Sequence, residues 1–555
     1  MIEWRFKFRS RDPFLILVFC FSFNALALNE TLRLRLEQWP TKSITATPAE
    51  NVFSISNCQI SDPVNTKKQI ERWLYEPIWT SSQGSLNATG EMLLSYLNSA
   101  VDLGLNPQDY HVDCIASLLD ESVKRNQDLQ NDLEILLTDA FIQYISHNKN
   151  GRLNPLVIHP DWFMKGEVKP HYEPYDYLFN ITNIENILLS SEADFPEYKA
   201  LKSEYKKLSY RANKDPKIKT ILKPRMIHSE VALLVSQLKS LGFIIHQAET
   251  TEYSASIESA VKLFQTSVKL EGDGIVGPDT VKALEDAIHG NSDAIKVNLE
   301  RLRWLPQQYG SRYILVDIAG FQLQYWDENK ARLTMRVIVG KNYRQTPIFH
   351  QLMRYVVINP SWIPTYTIAT QDLIPKIKSN PNYFKETGMK VFKGWGETQE
   401  QLDPNSIKWQ EINQKKFPYR FSQPPGPENP LGRVKFIFPN EFDVYMHDTN
   451  NPSLFLKQEL TFSSGCIRLE KPKELLYMLF EKSKKWPTQR LEDILNRNQE
   501  ITIPLEQTLP VYLLYKTAFL NENGRVSYRK DIYQRDGIVL KALQNSAPRI
   551  NSKPL

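Results

Sequence analysis

Little in this chain suits a metal, a nucleotide or a nucleic acid. Its nine histidines show no His-x-His, no His-Glu-x-x-His and no neighbouring Cys or Asp set, so no metal site is expected. A glycine-rich loop to cradle phosphate and a dinucleotide fingerprint are both missing, so no cofactor is expected either. Charge of one sign is scarce: the formal net charge is only +5, and Lys and Arg are scattered rather than striped. Nucleic acid is therefore a poor partner. Long apolar runs are missing too. Phe14–Phe23 is apolar but falls short of the about 20 residues a spanning helix needs, and no later stretch resembles it.

That short run has its own meaning. Arg5, Lys7, Arg9 and Arg11 precede it and Ala25-Leu26-Ala27 follows it, the order of a cationic, an apolar and a small-residue cleavage segment in an export signal. Residues 1–27 are read as that signal, with an uncleaved N-terminal anchor as the alternative. Cys20 has no small-residue lead-in of the lipoprotein kind. The expected location is the periplasm or cell wall, where an oxidising medium leaves thiols paired or reactive. Three of the four cysteines lie beyond the signal: Cys58, Cys114 and Cys466. Cys58 and Cys114 are candidates to pair, a question that spacing leaves open. Pairing would leave Cys466 single.

At 555 residues the chain exceeds one core, and about three domains are expected. Residues 28–225 read as helical, with Glu91–Val101 and Asp132–His147 at helical spacing and a polar break at Arg211–Lys217. A compact unit follows at 226–290. It has helices over Ser229–Leu241 (Ser229 a candidate cap) and Ser256–Val268, a turn at Gly272–Pro278, and a third helix over Asp279–Ile288. From Arg312 the texture becomes strand-like: Tyr313–Ile318, Phe321–Trp326 and Leu333–Val339 read as an antiparallel meander, continued by Tyr355–Ile358, Val434–Phe438 and Asp443–Met446. A helix is expected over Pro472–Lys484. The mixed stretch at about 360–433 reads as an inserted lid within a domain at 311–500, and 501–555 as a C-terminal extension.

Within that domain His447 precedes Cys466 by nineteen positions, and the Cys closes the run Ser463-Ser464-Gly465-Cys466 before Ile467-Arg468. A thiol becomes a nucleophile near neutrality only when a base or a positive field draws off its proton. A His at a strand end can do that. The slim residues ahead of the Cys let consecutive backbone N–H groups converge on one point, as an oxyanion hole requires. A buried, inert Cys beside a core His is the bland alternative. Gly on one side and an Arg nearby on the other favour a site.

Two resemblances join these readings. Ala260-Val261-x-x-Phe264-Gln265 followed by Asp273-Gly-Ile-Val-Gly-Pro278-x-Thr280 resembles the three-helix peptidoglycan-binding domain. His447…Ser463-Ser464-Gly465-Cys466-Ile467-Arg468 resembles the signature of YkuD-type L,D-transpeptidases. Asn298–Pro306, Asn359-Pro-x-Trp362, Gly394-Trp395, Pro425–Arg433, Met446–Thr449, Leu136–Ala140 and Gly104–Tyr110 resemble the large YcbB-like branch. The implied fold is multidomain α+β: a helical N-terminal scaffold, a small peptidoglycan-binding domain, and a mainly antiparallel-β catalytic domain with an inserted lid. The implied activity is formation of 3–3 cross-links in cell-wall biogenesis through a thioester on Cys466. His447 would be the general base, oriented by the Asp448 backbone, the N–H groups of Ser464, Gly465 and Cys466 would hold the oxyanion, and Arg468 would partner a substrate carboxylate or, equally, Glu470 or a helix end. Tyr445 and Trp395 are candidates for the pocket wall or for the core. Partners would be peptidoglycan stem peptides and glycan, and carbapenem-type β-lactams would act as inhibitors. Ser464 stands where small members have a second His, and Glu470 where the family often has Asn. An L,D-carboxypeptidase or endopeptidase of the same fold, and a non-catalytic wall-binding scaffold, are the competing readings. A papain-like peptidase does not fit, because there the Cys precedes the His.

Overall fold

The computed structural model describes residues 30–545, except 38, 40–53, 56–57, 122–126, 160–161, 165–183, 215–217, 245–249, 269, 307, 395–398, 414 and 416. The expected signal segment lies outside the described residues. The N-terminal half is helical, but its central helix α1, Gln127–Asn150, is buried on every side rather than along one stripe. Its polar residues are there to be satisfied. Glu134 accepts from the N–H groups of Ile78 (3.0 Å), Trp79 (3.1 Å) and Thr80 (2.7 Å). Asp139 accepts from the N–H groups of Ser61 and Asp62 and from Thr66, and meets His111 at 2.7 Å. Cys58 and Cys114 form a disulfide, which answers the open pairing question. Within the same half, Trp162–Phe163 (β1) adds a strand to the large sheet described below. Helix α2, Pro196–Lys214, runs into the expected Arg211–Lys217 break.

The small unit is built from α3 (Glu230–Ser240), α4 (Ala255–Ser267) and the start of α5 (Pro278–Arg303) around Leu234, Leu238, Val261, Phe264 and Val276. Ser229 makes no cap bond through its side chain; His228 Nδ1 accepts the Glu230 N–H instead, at 3.2 Å. Gln265 explains why its motif pairs with the Asp-Gly turn. Its amide donates to Asp273 Oδ1 (2.8 Å), Ile275 O (2.9 Å) and Thr280 Oγ1 (3.1 Å) and accepts from Gly274 N (2.9 Å).

Helix α5 does not stop at Ile288 as its periodicity suggests. It runs on to Arg303, because a single interior Gly290 costs only about 1 kcal/mol while Ile295, Val297, Leu299 and Leu302 enter the main core. Its last two turns also carry polar residues that bind three parts of the chain together. Arg303 reaches Tyr198 OH (2.9 Å), Leu103 O (2.5 Å) and Glu300 (3.1 Å). Glu300 in turn accepts from Leu153 N at 2.7 Å. Arg301 pairs with Asp536 at 2.6 Å, at the start of a terminal helix, Asp536–Gln544.

The remaining strands are β2 (Tyr313–Asp317), β3 (Gln322–Asp327), β4 (Lys330–Gly340), β5 (Ile348–Ile358), β6 (Val434–Ile437), β7 (Met446–His447), β8 (Thr461–Ser463), β9 (Ile467–Leu469) and β10 (Ile501–Leu514). The meander β2–β3–β4 is antiparallel as expected. The sheet order is β6-β7-β9-β4-β3-β2-β10-β5-β1, and β6 also pairs with β5, so the path closes into a barrel. Two corrections follow. Residues after 500 are no extension: β10 fills the gap between β2 and β5, and without it both strands would present open edges. The Asp443–Met446 segment is not a strand throughout; regular pairing covers only Met446–His447. The 360–433 insertion has a core of its own, including Leu373, Ile374, Ile377, Val391 and Phe421, under a three-stranded sheet.

Removing Arg303 leaves Glu300, at 0 % exposure, without its cation. Arg303→Ala is expected to cost roughly 3–5 kcal/mol, read as a lower denaturation midpoint. Breaking the exposed Lys199–Asp194 pair should change it little.

Candidate active site

Strand register assembles the site. In the antiparallel pair β6/β7, Lys435 lies opposite His447; in the parallel pair β7/β9, His447 lies opposite Arg468. Lys435, His447 and Arg468 thus form one row across three strands. Alternation places Tyr445 and Cys466 on the same face, while Phe436, Met446 and Ile467 point into the barrel at 0 % exposure. The ring centres of Tyr445 and His447 are 5.6 Å apart, and Lys435 Nζ sits 3.8 Å over the Tyr445 ring. Nothing in the sequence singled out Lys435; a lone cation between Val434 and Phe436 on a buried strand was the available signal.

His447 is buried, with Nδ1 2.6 Å from Asp448 O. A carbonyl can only accept, so Nδ1 carries the proton and Nε2 is left as the acceptor. The Asp448 carboxylate is held separately, by the N–H groups of Arg433 (2.8 Å) and Thr449 (2.7 Å). Gly432, at φ +61°, makes room for it: a Cβ there would lie 2.4 Å from the Asp448 carboxyl carbon. Burial, helped by the charges of Arg468 and Lys435, pushes His447 down to about 3.

Cys466 is the free cysteine among the described residues. Its thiol is directed at Asp443 O, 3.7 Å away, and no hydrogen bond joins it to His447 among the described residues. Burial raises the thiol; the Tyr445 N–H and hydroxyl and the charges of Lys435 and Arg468 pull the other way. The resting pair is therefore a neutral imidazole and a neutral thiol.

The turn before Cys466 differs from expectation in one group. Gly465, at φ +114°, donates its N–H to Ser463 Oγ at 3.1 Å, and Ser463 Oγ donates to Cys466 O at 2.5 Å. The Gly465 N–H is thus already used. Those of Ser464 and Cys466 make no hydrogen bond among the described residues. Arg468 forms no ion pair among the described residues, and its Nε is buried without a partner. The alternative partner Glu470 instead accepts the Arg336 N–H at 3.0 Å. Trp395 lies outside the described residues. Three or more potential metal-ligating side chains do not cluster anywhere among the described residues.

Residues 311–484 match the family described as "L,D-transpeptidase catalytic domain" (YkuD), residues 71–204 "Scaffold domain", and residues 228–284 "Putative peptidoglycan binding domain". The chain carries a YkuD-type L,D-transpeptidase catalytic domain together with a peptidoglycan-binding domain. A curated relative, "Putative L,D-transpeptidase" of Haemophilus influenzae, is 36 % identical over 242 residues, 44 % of this chain. The match spans about half of that relative, 48 % of its length. Solved L,D-transpeptidase structures from Xylanimonas cellulosilytica and Stackebrandtia nassauensis are 13 % and 12 % identical. They cover 54 % and 55 % of this chain and 100 % and 98 % of their own, with TM-scores of 0.15 and 0.17, too low for any inference.

A thiol raised above its ordinary value of 9.0 holds less thiolate at every pH than a free cysteine. Alkylation of Cys466 by iodoacetamide in the free protein should therefore climb through neutrality without levelling off. A plateau reached below pH 7 would reveal a thiolate–imidazolium pair instead. Gly432→Ala should push Asp448 and its carbonyl off His447 at a cost of roughly 1–3 kcal/mol, visible as a lower melting temperature together with slower turnover.

Proposed function

We propose that the chain is a peptidoglycan L,D-transpeptidase that makes 3–3 cross-links between stem peptides through a thioester on Cys466. The observation that carries this reading is the free Cys466 thiol, sharing one sheet face with the His447 imidazole and the unpaired Arg468 guanidinium and flanked by two open backbone N–H groups.

As substrate docks, the thiol gives its proton to His447 Nε2, and sulfur attacks the carbonyl at the L-centre of the diamino acid in a tetrapeptide stem. The oxyanion rests on the N–H groups of Ser464 and Cys466. The C–N bond to the terminal D-Ala breaks, His447 returns the proton to the leaving amine, and a thioester remains. An amine from a second stem then attacks that carbonyl and passes its proton to His447. The C–S bond breaks, and the proton returns to sulfur. Arg468, a planar fork with no carboxylate of its own, binds a carboxylate of the stem. Lys435 adds a second positive charge beside the reacting sulfur.

Export by the N-terminal segment belongs to the same proposal. The Cys58–Cys114 disulfide supports it, since such bonds persist in oxidising compartments.

Purified protein incubated with tetrapeptide muropeptides should yield cross-linked dimers and free D-Ala by mass analysis. Trimmed tripeptides alone would point to hydrolysis, and no change at all to a wall-binding scaffold. A carbapenem should add covalently to the wild type and not to Cys466→Ala; an equal adduct on both defeats the nucleophile assignment. His447→Gln should slow turnover by roughly 10²–10⁴-fold.

A further inference from the structure

The loop between β4 and β5 grips all three residues that precede the nucleophile. Lys341 N–H donates to Ser463 O at 3.0 Å. Thr346 Oγ1 donates to Gly465 O at 2.8 Å and accepts from Gly340 N at 2.9 Å. Between them, Arg344 Nη1 donates to Ser464 Oγ at 3.1 Å. The loop is itself anchored from the C-terminal segment, where Tyr533 OH donates to Gly340 O at 2.5 Å and Arg535 to Gln345 Oε1 at 2.8 Å.

The same guanidinium also faces the insertion. Arg344 Nη1 and Nη2 form a two-pronged pair with the Asp372 carboxylate, and Nη2 donates to Gln371 Oε1 at 2.7 Å. Both partners sit on a π-helical turn, Ala369–Leu373. Pro375, just beyond it, has no N–H to continue regular α-helical bonding back to Gln371. Such turns are rare and cluster at functional places. The insertion packs on an apolar core separate from that of the barrel. One side chain therefore links that unit to Ser464, whose N–H makes no hydrogen bond among the described residues.

We propose that Arg344 is a positioning residue: seating of the insertion, through Asp372 and Gln371, sets the Ser464 end of the oxyanion turn. Arg344 bonds neither sulfur nor imidazole among the described residues, so it acts through Ser464. Displacing the insertion would release Arg344, and with it Ser464 Oγ and the direction of the Ser464 N–H. The proposal rests on the thioester reading above.

Acylation needs the oxyanion turn, whereas alkylation of the same thiol does not, and this difference supplies the test. In the full-length protein, carbapenem acylation (by intact mass) and iodoacetamide alkylation of Cys466 are timed for wild type, Arg344→Gln, Asp372→Asn, Ser464→Ala and the double variant Arg344→Gln/Asp372→Asn. Arg344→Gln should slow acylation roughly 10- to 100-fold while alkylation stays within about twofold. Asp372→Asn should show the same selective loss, and the double variant should be no slower than Arg344→Gln alone. Ser464→Ala keeps its backbone N–H and cuts only the link, so a smaller selective loss is expected. If Arg344→Gln does not fold, Asp372→Asn and Ser464→Ala carry the test. Wild-type acylation rates in Asp372→Asn, or equal falls in acylation and alkylation, overturn the proposal while leaving the nucleophile assignment standing. A wild-type protein that takes no carbapenem overturns the thioester reading and this proposal with it.

Discussion

Everything at the site depends on two short strands running the same way. Met446–His447 and Ile467–Leu469 are parallel, with Met446 opposite Ile467 and His447 opposite Arg468. Parallel neighbours cannot be joined by a tight turn, so the chain between them must cross over. That requirement accounts for the nineteen positions from His447 to Cys466. A slip of one residue would turn every side chain of one strand to the opposite face. Cys466 and Arg468 would then point into the barrel, and Ile467 would face the substrate side. The apolar residues Phe436, Met446 and Ile467, fully buried on the inner face, make such a slip costly. The core thereby holds the catalytic face in register.

The polar chemistry of the molecule divides in two. Away from the site, buried charges are matched: Glu134 and Asp139 take backbone N–H groups, and Arg303 meets Glu300, Tyr198 and a carbonyl. At the site, matching stops. Arg468 and Lys435 are largely buried and make no ion pair among the described residues, although Glu500 and Asp443 act on Lys435 from farther off, and two N–H groups in the turn stay open. Burial of an unpaired cation is unfavourable, and a bound anionic group would relieve it. Burial, helped by the same two cations, keeps His447 neutral, leaving Nε2 as a proton acceptor.

Much of this was legible in the chain. The slim Ser463–Cys466 run, the His at a strand end and the Gln265 motif each depend on neighbours close in sequence or on a repeated pattern. The helix α5 boundary was misread because a single interior glycine looks like a stop, while the burial that overrides it comes from residues elsewhere in the chain. The role of Gly465 was misjudged for a related reason: which N–H groups in a turn remain open depends on where the Ser463 hydroxyl points. Lys435 and Arg344 could not be singled out, since each is one charge among many until the strands are laid side by side.

The sequence by itself determined the chemistry available: a lone thiol, an imidazole, small turn residues and a guanidinium, along with helical and alternating patterns that set the fold class. Side-chain identity and local periodicity are properties of neighbouring residues, and they survive without coordinates. Tertiary structure alone decided which groups meet. The parallel register, the closing of the barrel by Ile501–Leu514 and the bridge from Arg344 to the insertion join residues far apart in the chain. Such contacts form only when a shared core fixes the distances between strands, and no local pattern encodes that.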